Sequence, residues 1–269
     1  MKKNKLVAVT AAAIGIAIAA PATAQDDTAA ALEQYRQMIQ ESNPAELYEM
    51  EGEELWTTAR GPKNATLEQC DLGLGPGVIE GAYAQMPRYF EDTGKVQDLA
   101  SRLMTCMETL QGIPSEEIID GKFRQGERGK LGAILAYVVG QSRGDTIAVD
   151  LDHPKVKEMY ELGKQAFYYR AGPMDFACST CHSSDGKRIR MQDLPNLTTQ
   201  EGAAAGWGSW PAYRVSNSQF WTMQHRLWDC FRQQRVAEPI YASEVTIALS
   251  TYMAGTANGG TMNAPSAKR

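Results

Sequence analysis

Long apolar runs are scarce in this chain of 269 residues. One is present, Leu6 to Ala20, and no later stretch is long enough to cross a bilayer, so no membrane span is expected. Positive charge is also short. With 27 basic and 32 acidic residues the formal net charge is −5, which argues against binding nucleic acid by overall charge. Strand signals are weak, and nothing resembles the βαβ setting of a thioredoxin-like redox pair. Histidines number three and cysteines five, so any imidazole or thiol chemistry falls on few positions.

The single apolar run reads as a secretory leader. Lys2, Lys3 and Lys5 supply the positive start, and Ala22-Thr23-Ala24 fits cleavage after about Ala24. The leader holds no acidic residue, so the exported chain is more acidic than the whole. Export together with the motif below points to a bacterial periplasm, where disulfides form. The remainder suits two domains of ordinary size. Residues 256–269 are rich in Gly, Ala, Asn and Ser and are expected to form a flexible tail.

Cys178-Ser179-Thr180-Cys181-His182 is the pattern of c-type haem attachment. Two thiols add to the haem vinyl groups and the histidine reaches the iron. The group opposite that histidine then decides the chemistry: methionine or histidine usually makes an electron carrier, whereas a thiolate puts reactive sulfur on the metal. The candidates are Cys230, His225, Met191, Met223 and Met253. His225 precedes Cys230 by five residues, about 500° around a helix, so the two do not share a face. A zinc site of Cys178, Cys181, His182 and Cys230 is the competing reading of the motif. A buried structural thiol is the competing reading of Cys230.

The two halves share a spaced pattern. Pro87-x-Tyr89 precedes Arg102-Leu103-x-x-Cys106 as Pro211-x-Tyr213 precedes Arg226-Leu227-x-x-Cys230. Gly61-Pro62 precedes Cys70 much as Gly172-Pro173 precedes Cys181, and Ile134-x-x-Tyr137-x-x-Gly140 echoes Leu249-x-x-Tyr252-x-x-Gly255. Several matches in one order argue for internal duplication. In that alignment Leu67, Cys70 and Asp71 fall on Cys178, Cys181 and His182, so the first copy lacks a thiol and the imidazole. It is expected to be haem-less, with Cys70 and Cys106 bonded across a collapsed pocket. Of five cysteines this leaves Cys230, equivalent to Cys106 and so placed to face the attachment site. Arg226, four residues before it, shares its helical face.

The expected fold is mostly α: residues 25–148 a haem-less cytochrome c-like domain, residues 149–255 a haem-binding one. Helices are predicted over Val96–Gln111, stopped by Gly112, and over Pro154–Arg170 behind His153. Ser216-x-x-Gln219 resembles a capping box opening a helix to about Arg235, and Ser243 is placed to cap a last helix ending at Gly255.

Cys178-Ser-Thr-Cys181-His182, Trp210-Pro-Ala-Tyr213-Arg214 and Arg226-Leu-Trp-Asp-Cys230-Phe-Arg-Gln-Gln-Arg235 together resemble the SoxA family. These are the larger subunits of the SoxAX cytochromes of bacterial thiosulfate oxidation. Arg60-Gly-Pro-Lys-Asn and Cys70-Asp-Leu-Gly are similar to its single-haem form. The resemblance implies an L-cysteine S-thiosulfotransferase with one covalent haem c, and His182 and Cys230 as axial iron ligands. It makes Cys230 the catalytic sulfur, often a persulfide, and Arg226 the substrate-site arginine. It also implies a SoxX partner subunit, a SoxYZ carrier, thiosulfate as substrate and a cytochrome c electron acceptor. A plain monohaem electron-transfer cytochrome, or an assembly subunit whose chemistry lies in its partner, are the competing functions.

Overall fold

The computed structural model describes residues 30–31, 34–35, 37–189 and 192–268. The expected leader, residues 1–24, and Met191 lie outside these. The chain divides into two compact units, residues 1–38 and 39–269. The described residues of the first are helical; the second holds everything that follows. Among the described residues no helix is long and apolar enough to cross a membrane.

The unit is helix-rich, with short two- and three-stranded sheets. In its first part, α1 (Ala45–Thr57) is followed by a hairpin of β1 (Arg88–Phe90) and β2 (Lys95–Gln97), then α2 (Leu99–Cys106), α3 (Ser115–Ile119) and α4 (Gly126–Gly140). The later part begins with α5 (Pro154–Tyr168) and the five-residue α6 (Cys178–His182). A small hairpin, β3 (Arg188–Ile189) with β4 (Gln192–Asp193), and α7 (Gln200–Trp207) come next. A hairpin of β5 (Ala212–Arg214) and β6 (Gln219–Trp221) leads into α8 (Met223–Gln234). The chain closes with α9 (Glu244–Thr256) and β7 (Ser266–Lys268).

Two helix crossings frame the core, α1 on α4 and α5 on α9. Each depends on a glycine. A Cβ on Gly52 would collide with the Ala133 carbonyl, and one on Gly163 with that of Ala248. Tyr137 and Tyr252 sit beside these contacts in the same manner. Without side chains at the crossing the backbones approach closely, which lets the flanking apolar residues interdigitate.

The helix that begins α2 is shorter than its sequence suggests. Val96 belongs to β2, because its side chain alternates into the core opposite Tyr89, and Asp98 caps the helix by accepting from Ser101 N at 2.9 Å. The α-helix ends at Cys106, and a π turn over Met107–Gln111 leads to Gly112, whose φ of 74° terminates the run. Cys70 and Cys106 are joined by a disulfide with Cα atoms 5.5 Å apart, buried in the core.

The expected capping box at Ser216 is not one. Gln219–Trp221 pairs with Ala212–Arg214 as a hairpin, and α8 starts only at Met223, capped by Thr222 through His225 N at 3.2 Å. Strand pairing here outweighs the local capping signal. His153 does open α5, accepting from Lys155 N at 3.2 Å; the helix ends at Tyr168 rather than Arg170.

The tail expected to be flexible is packed instead. Met262 and Ala264 are fully buried, β7 runs parallel to β5, and Ile147 and Gly144 donate backbone hydrogen bonds to Gly260 and Met262. Its small residues permit close packing in a segment whose composition alone suggested mobility.

Candidate functional site

Cys178, Cys181 and His182 lie on the single turn of α6. Ala177 N donates to Thr180 Oγ1 at 3.0 Å, so Thr180, between the cysteines, helps fold that turn. His182 Nδ1 lies 2.9 Å from the Pro195 carbonyl. That contact requires the proton on Nδ1 and leaves Nε2 as the lone-pair nitrogen, the arrangement in which an imidazole serves a metal. Burial, and secondarily the charge of Arg226, hold the His182 pKa below its usual value, again favouring the neutral ring.

Two thiols and a neutral imidazole on one turn fit a c-type haem. The zinc reading fares differently: among the described residues no three His, Cys, Asp or Glu side chains converge as a metal site.

Cys230 lies on α8. Burial pushes the Cys178 thiol up to about 12, and the next cause is the charge of Cys230, so the two sulfurs lie in one electrostatic neighbourhood. Arg226 sits one turn earlier on α8, with its guanidinium 5.8 Å from the Trp210 ring. Its Nη1 donates to Asp229 Oδ2 at 3.2 Å. Asp229 is buried and also accepts from Arg232 at 2.7 Å and Gln233 at 2.7 Å, so its charge is compensated.

Two participants escaped the sequence reading. Asp229 could have been found from the i,i+3 spacing of Arg226, Asp229 and Arg232. Arg214, at the end of β5, carried no such signal. Its Nη1 approaches Gln192 Oε1 at 3.4 Å, its guanidinium lies 5.6 Å from the Trp221 ring, and its Nε is buried without an acceptor. Burial, then Arg226, lower its pKa to about 10, while Asp229 and Cys230 act in the opposite sense. A guanidinium stays charged at neutral pH, so the depression marks a cation with too little compensation.

His225 is sandwiched between Phe123 (3.6 Å) and Trp221 (4.2 Å) and lines a cavity of about 380 Å³ with Arg128 and Tyr241. Met223 and Met253 are buried in the hydrophobic core. Arg235 ends α8 in the left-handed conformation, and its carbonyl packs beside Gly172.

In the first part of the chain Arg102 and Asp71 are fully engaged with partners of their own. Arg102 is buried, bonds both oxygens of Asp92 at 2.7 and 2.9 Å, donates to the Asp71 carbonyl at 2.6 Å and lies 4.0 Å from the Phe90 ring. Asp71 caps a turn by accepting from Gly73 N and Gly75 N.

The sequence model of the SoxA/TsdA cytochrome c domain matches residues 51–147, the part without the Cys-x-x-Cys-His motif. Along its whole length the chain is 63% identical to the L-cysteine S-thiosulfotransferase subunit SoxA of Hydrogenophilus thermoluteolus, all of which is covered. It is 38% identical to a protein of the same name from Hydrogenobacter thermophilus, with 82% of this chain and 81% of that one aligned. Among solved structures, SoxXA from P. pantotrophus superimposes with a TM-score of 0.73 at 25% identity, covering 88% of this chain and 84% of that chain. With its cytochrome c-like, helix-rich fold, this chain belongs to the SoxA family.

Proposed function

We propose that the protein is an exported, periplasmic cytochrome subunit that joins thiosulfate to a cysteine of a SoxYZ-type carrier, acting with a SoxX-type cytochrome. The observation that carries this reading is that the charges of Cys230 and Arg226, one turn apart on α8, act on Cys178 and His182 of the motif turn. It is supported by relatives named L-cysteine S-thiosulfotransferase subunit SoxA over the full chain and by the likeness to SoxXA. The disulfide suits an oxidising compartment.

Cys178 and Cys181 would carry one haem c covalently, and His182 Nε2 and Cys230 Sγ would hold its iron. Bound there, haem supplies an electron-accepting iron. The chain's own residues do the rest. Arg226 binds the thiosulfate dianion and sets its outer sulfur against Cys230. A sulfur–sulfur bond forms between Cys230 and that sulfur as the thiol proton and two electrons leave, the electrons going to a cytochrome c acceptor. The carrier thiolate then attacks the same outer sulfur, and Cys230 departs as thiolate.

An internal duplication underlies the site. Asp98 and Thr222, both helix caps, Arg102 and Arg226, and Cys106 and Cys230 are each separated by 124 residues. Cis peptide bonds precede Pro87 and Pro211. In this reading residues 25–148 form a haem-less copy and residues 149–255 the haem-binding one, with 39–148 and 149–255 sharing one compact unit.

Cys230→Ser tests the function. In the haem-loaded complex, turnover of thiosulfate with carrier is expected to vanish while the attached haem remains. Full activity in that variant would refute the catalytic sulfur. It would leave the plain electron carrier as the better reading.

A further inference from the structure

The hairpins of the two hairpin–helix units pair in the same register, yet the charges of the units differ. Position by position, Phe90, Asp92, Arg102, Thr105 and Glu108 of the first correspond to Arg214, Ser216, Arg226, Asp229 and Arg232 of the second. One cation with two acids becomes three cations with one acid. In the first unit Arg102 is saturated: a bidentate carboxylate, a backbone carbonyl and an aromatic face surround it. In the second, the aromatic partner has become a guanidinium and the bidentate acid a serine.

Among the described residues Arg214 has no ion-pair partner, and its buried Nε has no acceptor. Arg226 shares Asp229 with Arg232. In the first unit the guanidinium of Arg102 lies 4.0 Å from Phe90; in the second both equivalent positions carry guanidiniums, Arg226 and Arg214, which repel each other, and little in the fold offsets this. A doubly charged anion between them removes the repulsion and uses their spare donors. Each planar fork can take two oxygens of a sulfonate-type head.

We propose that Arg214 is a second thiosulfate-binding residue, completing with Arg226 a two-guanidinium clamp beside Cys230. It rests on the thiosulfate-conjugating reading above. The clamp selects for charge: a dianion matches two arginines, whereas a monoanion of similar size leaves one of them unpaired.

The test is steady-state kinetics of the intact, haem-loaded complex with carrier, comparing wild type, Arg214→Gln and Arg214→Lys. Arg214→Gln is expected to raise KM for thiosulfate about tenfold or more, the loss of one charge-assisted contact, with kcat changed far less and the haem spectrum unaltered. The dependence of kcat/KM on ionic strength should become shallower by the loss of one charge. Arg214→Lys is expected to fall between, keeping the charge without the fork. A KM within twofold of wild type in Arg214→Gln would overturn the proposal. If that variant fails to load haem or to pair with its partner, Arg214→Lys decides. Failure of both marks Arg214 as scaffolding and also overturns it, and so does a loaded Arg214→Lys with wild-type KM. Cys230→Ser in parallel separates the hypotheses. If it retains turnover, the conjugating function falls; if it is inactive while Arg214→Gln is normal, only the clamp falls.

Discussion

Gln224 Nε2 donates to Asp98 Oδ2 at 2.7 Å, and both side chains are buried, 2% and 5% exposed. The same Asp98 caps α2 through its other oxygen, and Gln224 Oε1 accepts from Ala242 N. One buried contact thus ties the start of the disulfide-bearing helix to the first turn of the helix that carries Arg226 and Cys230. Gln224→Leu strands the Asp98 oxygen and the Ala242 amide. The expected loss is about 2–4 kcal/mol, read from the denaturant midpoint at unchanged slope. An unshifted midpoint would mean water replaces the contact without cost.

The two glycine crossings should respond alike. Gly52→Ala and Gly163→Ala each drive a methyl group into a backbone carbonyl that cannot turn aside. Each is expected to cost on the order of 2–3 kcal/mol, the usual range for overpacking, seen as a lower melting temperature. Tolerance at one site and not the other would show that the crossings differ in freedom to part.

The Cys70–Cys106 bridge closes a loop with a separation of 36 residues. Cys70→Ala with Cys106→Ala should cost about 3–4 kcal/mol by release of the unfolded chain, with haem attachment at Cys178 and Cys181 preserved. Intact mass would report haem count and bridge together. Loss of attachment alongside the bridge would make the first half a requirement for maturing the second.

His225 should impose a pH window. Burial, and then the charge of Arg128, push its pKa down to about 4; Asp229 opposes this and Arg124 adds to it. The unfolded chain binds the proton first, near its ordinary value of about 6.5. Stability from the neutral, stacked ring is therefore complete above about pH 6.5 and is lost as pH falls towards 4. His225→Phe keeps the stack with Phe123 and Trp221 and removes the proton. Relative to wild type its stability should hold across that window, by roughly 2–3 kcal/mol at the acid end. Parallel curves for both proteins would place the titrating group elsewhere.

The Cys178-x-x-Cys181-His182 motif was legible in the sequence because its residues are contiguous, and the structure places them on one helical turn. So was the cysteine pairing, because the repeat brought Cys70 and Cys106 to matching positions and the structure joins them. The misread helix at Ser216 shows the opposite case. Its capping signal is real, but a hairpin partner five to nine residues upstream, invisible to local pattern, takes the backbone first. The tail was misread for the same reason: composition cannot reveal that β5 leaves an edge for β7 to occupy.

What the sequence determined alone was the Cys178-x-x-Cys181-His182 motif and the pairing of Cys70 with Cys106, since both can be read from residue identity and spacing. What only the tertiary structure decided was which charges share a space. Arg214 stands 12 residues before Arg226 and on a different element. It joins the site because a hairpin folds back and α8 turns its face to meet it. Electrostatic interaction depends on distance through space, and folding alone sets that distance.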